Sequence, residues 1–432
     1  MFRIALSHIN RLLGRTDCPH IRSSARISSP LRARLSLEQC EAREVHVAGF
    51  GANFVVNSTA DLSDANRSDG IASTGNMVMV RGAMVPEVTL RAAIEQANTI
   101  GGDLANPATI SFADLVSPAG GGQPAVTASV MLTQPIEDIR TFIVIDGIGR
   151  DLLTVTRDTT ATAFHYFSIA TAQGSPTCSA TFKNMTIRDA VATNPQVSEK
   201  GAAIRNAAGL VLDSVKFVNN KAKEGGAVFT TGTLGVNNCV FEDNHAIGQG
   251  NDGGAIDITA GQATITGSTF TGNSADGGKG GAIAVNNAQT RLNVTDTDFS
   301  ANWADNGGAI YSSIGHEDTG LSITRGHFWC NWATSDAGAV YLSTTNARID
   351  GVEFDGNYAN NGGAIMSKTN RLLLLNSTFN ANQASNAGNI VIYVGILGDT
   401  VRITLYKDPT TEADTNAGIT AADLIQWMPP AP

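Results

Sequence analysis

The residues best suited to bind a ligand are aromatic and stand in two columns of a repeated sequence. One column is the residue after a recurrent asparagine, and the other follows a recurrent Gly-Ala-Ile or Gly-Ala-Val. Other repeats hold polar or small residues there, so the repeat itself does not require aromatic rings. Exposed rings spaced along a repeat could stack on sugar rings, whereas local packing in a wider repeat is the alternative. The candidate ligand-binding residues are Trp303, Trp332, Tyr358, Tyr311 and Tyr341.

Aspartates offer a second kind of chemistry, because calcium prefers carboxylate oxygens. Four of them stand shortly before the glycines of four successive repeats. They differ in register and lie in segments of variable length, so we expect a solvated acidic edge and no cofactor. A calcium site is the alternative, and its ligands would be Asp252, Asp276, Asp305 and Asp336.

The sequence contains no recognisable catalytic motif. Gly-x-Ser-x-Gly, His-Glu-x-x-His and phosphate-binding loops are missing, and the dispersed histidines, such as His245, are expected at the surface. A glycosidase needs two carboxylates at a fixed separation, and no such pair stands out. Arg291, Arg348 and Arg371 could supply a lyase base or contact an anionic glycan, but we favour the interpretation that they are charges that protect a strand edge. We therefore expect no catalytic residues; a calcium-dependent polysaccharide lyase or a glycosidase is the alternative.

The elements that position these side chains come from seven tandem repeats. Aligned on a phenylalanine, the repeats are spaced by 24, 29, 29, 29, 26 and 25 residues. An asparagine follows each phenylalanine by three residues and an alanine by five; a Gly-Gly-Ala segment with a β-branched residue usually comes next. The two columns are Phe217, Phe241, Phe270, Phe299, Phe328, Phe354 and Phe379, and Asn220, Asn244, Asn273, Asn302, Asn331, Asn357 and Asn382.

The repeat has the pattern of a stacked β-structure. Apolar residues stand five and seven positions before each phenylalanine, which is the alternation of a strand with one buried face. A single unit cannot bury this face, but stacked units can, and each phenylalanine would then lie about 4.8 Å from the next. Asparagine suits a left-handed corner and can bond to the next asparagine, while alanine and glycine suit corners where coils approach closely. The sequence predicts an all-β parallel β-helix, or solenoid.

The Phe-x-x-Asn motif paired with Gly-Gly-Ala-Ile, in the copies from Phe217 to Ile390, resembles the repeat of chlamydial polymorphic outer membrane proteins. The resemblance implies a right-handed β-helix displayed on the cell surface or outer membrane and linked to adhesion. It favours an exported, non-enzymatic surface or extracellular protein whose partners would be glycans or other cell-surface molecules. Members of that family usually end in a membrane β-barrel, and the segment after Gly388 is expected to be too short for one.

A second resemblance covers residues 54–98. Phe54–Asp61 and Thr89–Asn98 are similar to the CSLREA domain found ahead of such β-helices, although its usual cysteines are replaced and Val88 precedes Thr89. Thr89 can cap a helix whose apolar stripe ends before Gly101. A short N-terminal helix of this kind would cover the open end of the solenoid.

The N-terminal segment has a different charge from the rest. Residues 1–44 contain eight arginines and four acidic residues, whereas the whole chain of 432 residues has a net charge of −10. The acidic remainder argues against nucleic acid and anionic lipid as partners. Leu35–Val45 resembles the leader ending of many large bacterial surface proteins, with Cys40 in place of a leucine. The resemblance implies export, and a disordered basic tail is the alternative.

These patterns divide the chain into four predicted parts. No run approaches 18 apolar residues, so no transmembrane helix is expected, and the five scattered cysteines favour neither a disulfide framework nor a zinc site. The predicted parts are an export segment (1–45), a CSLREA-like cap with irregular first coils (46–175), a regular β-helix (176–395) and a C-terminal cap (396–432).

Overall fold

The computed structural model describes residues 51–116, 119, 125–170, 178–193, 199–315, 320–368, 372–387, 390–393 and 424–427. Over these residues the chain is a parallel β-solenoid of about eight turns with one α-helix. The all-β parallel β-helix with a short helical cap is thereby confirmed. The predicted leader (1–45) and most of the C-terminal cap (396–432) lie outside the described residues, and the domain boundaries stay predictions.

The strands are short and follow one another through tight corners. The first coils contain β1 Asn53–Val55, β2 Met77–Val80, β3 Ala83–Pro86, α1 Leu90–Ile100, β4 Ala108–Ser111, β5 Ala128–Leu132, β6 Phe142–Asp146, β7 Leu153–Arg157, β8 Phe167–Ile169, β9 Ser179–Lys183, β10 Thr186–Arg188, β11 Val191–Ala192 and β12 Ile204–Asn206. The regular coils contain β13 Gly209–Asp213, β14 Lys216–Val218, β15 Lys221–Ala222, β16 Val228–Thr230, β17 Thr233–Asn237, β18 Val240–Glu242, β19 His245–Ala246, β20 Ile256–Ile258, β21 Gln262–Thr266, β22 Thr269–Thr271, β23 Ser274–Lys279, β24 Ile283–Val285, β25 Arg291–Ser300, β26 Trp303–Asn306, β27 Ile310–Ser312, β28 Leu321–Trp329, β29 Trp332–Asp336, β30 Val340–Leu342, β31 Ala347–Asp355, β32 Tyr358–Asn361, β33 Ile365–Ser367, β34 Leu372–Leu375, β35 Thr378–Asn380, β36 Gln383–Ala387, β37 Ile390–Tyr393 and β38 Leu424–Trp427.

Three parallel sheets collect equivalent strands from successive coils. Sheet 1 has 18 strands and includes the strands that carry the repeat phenylalanines. Sheet 2 has eight strands, from β11 to β36, and begins directly after each recurrent asparagine. Sheet 3 has ten strands, from β8 to β38, and follows each glycine corner. The register is direct, so residues at the same repeat position are neighbours in adjacent coils.

The repeat phenylalanines form a stack inside the solenoid. Their ring centroids are 4.6–5.1 Å apart with nearly parallel planes. The rings from Phe217 to Phe354 are fully buried, and Phe379 is partly buried. Each such ring removes roughly 150–250 Å² of surface from water, so the stack is a major part of the core.

The recurrent asparagines form a second buried ladder. From Asn220 to Asn357, each Nδ2 donates to Oδ1 of the asparagine in the next coil at 2.8–3.0 Å. Each also donates to the carbonyl of a phenylalanine, or of Ile187 in the case of Asn220, and Asn382 donates to Phe354 O. The left-handed corner is not at these asparagines, as the sequence suggested, but one residue earlier. That position has a positive φ in Asn219, Asp243, Ala301 and Cys330, because the ladder amide needs an ordinary backbone to aim inward.

Glycine is required where coils come closest. A Cβ at Gly281 would collide with the carbonyl oxygen of Gly308 in the next coil, and one at Gly308 with that of Gly338. The Gly-Gly-Ala corner therefore reflects coil spacing and carries no information about activity.

The helix α1 covers the first coil. The Thr89 hydroxyl accepts a hydrogen bond from Ala92 N (3.1 Å), and the helix ends at Gly101, whose φ is +79°. Arg91 is buried and makes two hydrogen bonds to the Asp61 carboxylate at 2.8 and 2.9 Å. The cap is thus tied to the segment before it, and its resemblance to the CSLREA domain stays a prediction.

Candidate functional site

The five aromatic candidates lie in two different sheets. Trp303, Trp332 and Tyr358 are the first residues of β26, β29 and β32 in sheet 2, where they are register neighbours. Tyr311 and Tyr341 are the middle residues of β27 and β30 in sheet 3. They therefore form two separate columns, not one patch.

The sheet 3 column is covered. Tyr311 and Tyr341 are only 8% and 6% exposed, and their rings stack at 5.1 Å. The Lys279 ammonium lies 4.9 Å from the Tyr311 ring and the Lys368 ammonium 5.1 Å from the Tyr341 ring. The prediction that these tyrosines present open rings is wrong, because lysine side chains close over the outer face of the sheet.

The sheet 2 column is open to solvent at its two C-terminal members, Trp332 and Tyr358. Trp332 is 44% exposed and Tyr358 is 37% exposed, whereas Trp303 is partly buried. Trp303 and Trp332 stack with centroids 5.8 Å apart and planes 25° apart. The Tyr358 hydroxyl shares a hydrogen bond of 2.6 Å with the Ser385 hydroxyl, which orients the phenol toward the next coil.

Trp329 is a residue that sequence reasoning missed. It ends β28, is 53% exposed, and stands three residues before Trp332 across the corner that contains Cys330. Its register neighbours are Ser300 and Asp355. The signal that singled out Trp303 was an aromatic residue in a column that other repeats fill with polar or small residues, and the same test on the residue after each phenylalanine would have found Trp329.

Trp329, Trp332 and Tyr358 together are called the corner patch below. The strands and corners around it, 298–305, 327–334 and 353–360, contain no lysine or arginine. They carry Asp298, Asp305, Glu353 and Asp355. The corner patch is therefore an aromatic surface with an acidic border.

The four candidate calcium ligands do not come together. Asp252 accepts bonds from Lys279 N and Asn286, Asp276 from Ser274, Asp305 from Thr334, and Asp336 from Asn361. Within the described residues, no three His, Cys, Asp or Glu side chains are close enough to hold a metal. The calcium alternative thus finds no support in their positions, because these carboxylates serve as acceptors for other side chains and backbone N–H groups, mostly on adjacent coils.

One carboxyl pair does form, at a place that the sequence did not single out. Asn286 Nδ2 donates to Asp252 Oδ2 at 3.0 Å and to Asp257 Oδ1 at 3.3 Å. Burial raises the pKa of Asp257 well above 3.8, and Glu224 and Asp252 add to the rise. Asp257 is only 1% exposed, so a glycosidic oxygen cannot reach it, and the pair does not provide the accessible acid and base that a glycosidase needs.

The remaining candidates are dispersed. Arg291 and Arg348 do not share a register position. Arg348 pairs with Ser322, which in turn pairs with Asn293 and not with Arg291. Arg371 lies outside the described residues. Arg348 donates to the Asp350 carboxylate at 2.7 Å. His245 is half-buried, its Nδ1 lies 2.7 Å from the Ser274 hydroxyl, and burial lowers its pKa.

A hollow of about 650 Å³ lies on the outer face of sheet 1 in the first coils. Hydroxyl groups of Thr127, Ser129, Thr154 and Thr156 line it, and Arg188 stands at its side. The lining contains no aromatic ring, which distinguishes this hollow from the corner patch.

Comparison with known proteins identifies the repeats. A family model described as the Chlamydia polymorphic membrane protein repeat matches residues 267–286, 296–313 and 351–368. The chain thus carries repeats of this kind, and they point to a surface-exposed β-helix protein. No curated protein and no solved structure matches the chain. No helix in the described part of the chain has the length and apolar character needed to cross a bilayer.

Proposed function

We propose that this chain of Chlamydia polymorphic membrane protein-type repeats is an exported, non-enzymatic surface protein that binds glycans through the corner patch. One observation carries the proposal. Three large aromatic side chains, Trp329, Trp332 and Tyr358, are 37–53% exposed on two adjacent coils. Exposed aromatic clusters on a folded protein mark interaction sites, because their burial in a complex gains free energy.

The scaffold supports a binding role. The corner patch sits directly outside the buried ladder of Asn331 and Asn357, whose Nδ2 groups bond to the next asparagine at 3.0 and 2.8 Å. Side chains mounted on such a rigid support lose little conformational freedom on binding. Flat, amphipathic rings held in this way are suited to the apolar faces of pyranose rings.

The enzyme alternative receives less support from the site. Asp252 and Asp257 are paired, but the cover over Asp257 separates them from any bound sugar. The corner patch has acids beside it without a basic residue in the surrounding segments, whereas a lyase acting on an anionic glycan needs cations near its substrate. We therefore favour a protein that binds glycans at the corner patch without cleaving them.

A glycan array with the purified protein tests the proposal. We expect binding to a subset of glycans, loss of that binding when Trp329 and Trp332 are both replaced by alanine, and retention in Met79→Ala, which removes an exposed apolar side chain far along the chain from the corner patch. Products formed during long incubation are measured in parallel. Released sugars, or binding that survives replacement of both Trp329 and Trp332, would refute the proposal.

A further inference from the structure

We propose that Trp329, and not the stacked tryptophan column, is the main sugar platform, and that the site selects uncharged glycans. The inference rests on the proposed glycan-binding function. It adds a residue that the repeat pattern did not indicate and a chemical class of ligand.

The three tryptophans of this region differ in which ring faces are free. Trp303 and Trp332 stack at 5.8 Å, so each uses one face on the other. Trp329 belongs to no aromatic pair among the described residues, and its neighbours Ser300 and Asp355 carry no ring. A pyranose ring binds to a ring face through its C–H groups, since the face is the electron-rich side of the aromatic ring. The indole of Trp329 is the most exposed in the patch and offers that face.

Asp355 supplies the polar half of the site. It is the register neighbour of Trp329 on the adjacent strand, and adjacent strands lie about 4.8 Å apart. Its side chain is partly exposed and makes no hydrogen bond or ion pair with any other described residue. A carboxylate accepts hydrogen bonds from sugar hydroxyls, and such charge-assisted bonds are stronger than neutral ones. A ring face with a free carboxylate beside it is therefore a site for a hydroxyl-rich, uncharged sugar.

The acidic border excludes anionic glycans. Asp298, Glu353 and Asp355 lie on the strands around Trp329, and the surrounding segments hold no lysine or arginine. A uronate or sulfate group would meet like charges without a counter-charge, which is unfavourable within a Debye length of about 8 Å at physiological salt. Because anionic glycans are repelled, neutral sugars are the ligands whose charge suits the site at Trp329.

Isothermal titration calorimetry of the full chain with cellohexaose, chitohexaose, polygalacturonate and heparin tests the inference. We expect binding of at least one neutral oligosaccharide and none of the two polyanions. Trp329→Ala should weaken this binding at least about tenfold, the loss of one ring contact, and Trp329→Tyr should restore most of it. Asp355→Asn should weaken it about threefold or more.

Trp303→Ala is the matched control, since it frees a face of Trp332 and should leave binding intact. Circular dichroism verifies that each variant is folded. If Trp303→Ala abolishes binding while Trp329→Ala does not, or if polygalacturonate or heparin binds, the inference is overturned and the glycan-binding function stands. If none of the four glycans binds and tetramethylammonium binds in a Trp329-dependent manner, the site recognises cations and both proposals fail.

Discussion

Replacing Asn302 with alanine tests whether the buried asparagine ladder holds the coils together. Asn302 makes four side-chain hydrogen bonds. Its Nδ2 donates to Phe270 O and to Asn331 Oδ1, both at 2.9 Å, and its Oδ1 accepts from Asn273 N at 3.0 Å and Asn273 Nδ2 at 2.9 Å. Asn302 is fully buried, so water does not replace these partners.

The magnitude follows from the groups that lose a partner. In Asn302→Ala the backbone N–H of Asn273 and one of its amide N–H groups are left without one, and the carbonyl of Phe270 loses its side-chain donor. Asn331 Oδ1 keeps the bond from Asn302 N at 3.1 Å. Each unsatisfied buried group costs about 1–3 kcal/mol, so for the two Asn273 donors we expect the free energy of unfolding to fall by about 2–6 kcal/mol.

Urea denaturation followed by circular dichroism measures this change, and hydrogen exchange of the Asn273 amide reports it locally. Asn293→Ala is the matched control, because Asn293 is exposed on β25 in the same coil and should change stability by no more than about 0.5 kcal/mol. Asn302→Asp should be destabilised more at pH 7 than at pH 3, since only the protonated carboxyl group can donate a bond. If Asn302→Ala matches the control, or if the Asn273 amide exchanges no faster, the ladder is not a source of stability and the reasoning is refuted.

Three further predictions concern the core and the cap. Because burial raises the pKa of Asp257, the native state holds a proton that the unfolded state releases, so stability falls as pH rises from about 4. Asp257→Asn should be more stable than the parent at pH 7 and should lose this pH dependence, as measured by urea denaturation at about pH 4 and at pH 7. Gly308→Ala should lower the thermal midpoint through a collision with the next coil, at a cost of about 1–3 kcal/mol or more, whereas Gly235→Ala, with its nearest atom at 3.8 Å, should not. Arg91→Ala leaves the buried carboxylate of Asp61 unpaired and should cost about 3–5 kcal/mol in chemical denaturation; an unchanged midpoint would show that the cap does not depend on this pair.

The fold was predictable because coil stacking repeats the same demands along the chain. Phe270 meets Phe299 and Asn273 meets Asn302 in register, so each position must solve the same packing problem as the one before it. Repetition of residue type at a fixed position therefore reports the architecture directly. The helix α1 was predictable for a local reason, since its cap residue Thr89 and its apolar stripe are both contained in one short segment.

Exposure was less predictable, because it depends on the neighbouring column. Tyr311 and Trp332 have similar patterns in the sequence, yet Lys279 lies over the ring of Tyr311, while the segments around Trp332 hold no lysine or arginine that could cover it. The pairing of Asp252 with Asp257 could not be predicted from the sequence for the same reason, since Asn286, which joins them, is about thirty residues distant in the sequence. A column read alone shows which way a side chain points but not what covers it.

The same logic places function in outward columns whose residue types change between coils. An inward substitution disturbs ladders on both sides, whereas an outward one, such as tryptophan at position 329 between Ser300 and Asp355, leaves the phenylalanine and asparagine ladders in register. Residues from adjacent coils lie only about 4.8 Å apart, so a few outward changes in consecutive coils suffice to assemble a binding surface. The corner patch meets this condition: its three aromatic residues occupy two coils that are otherwise ordinary copies of the repeat.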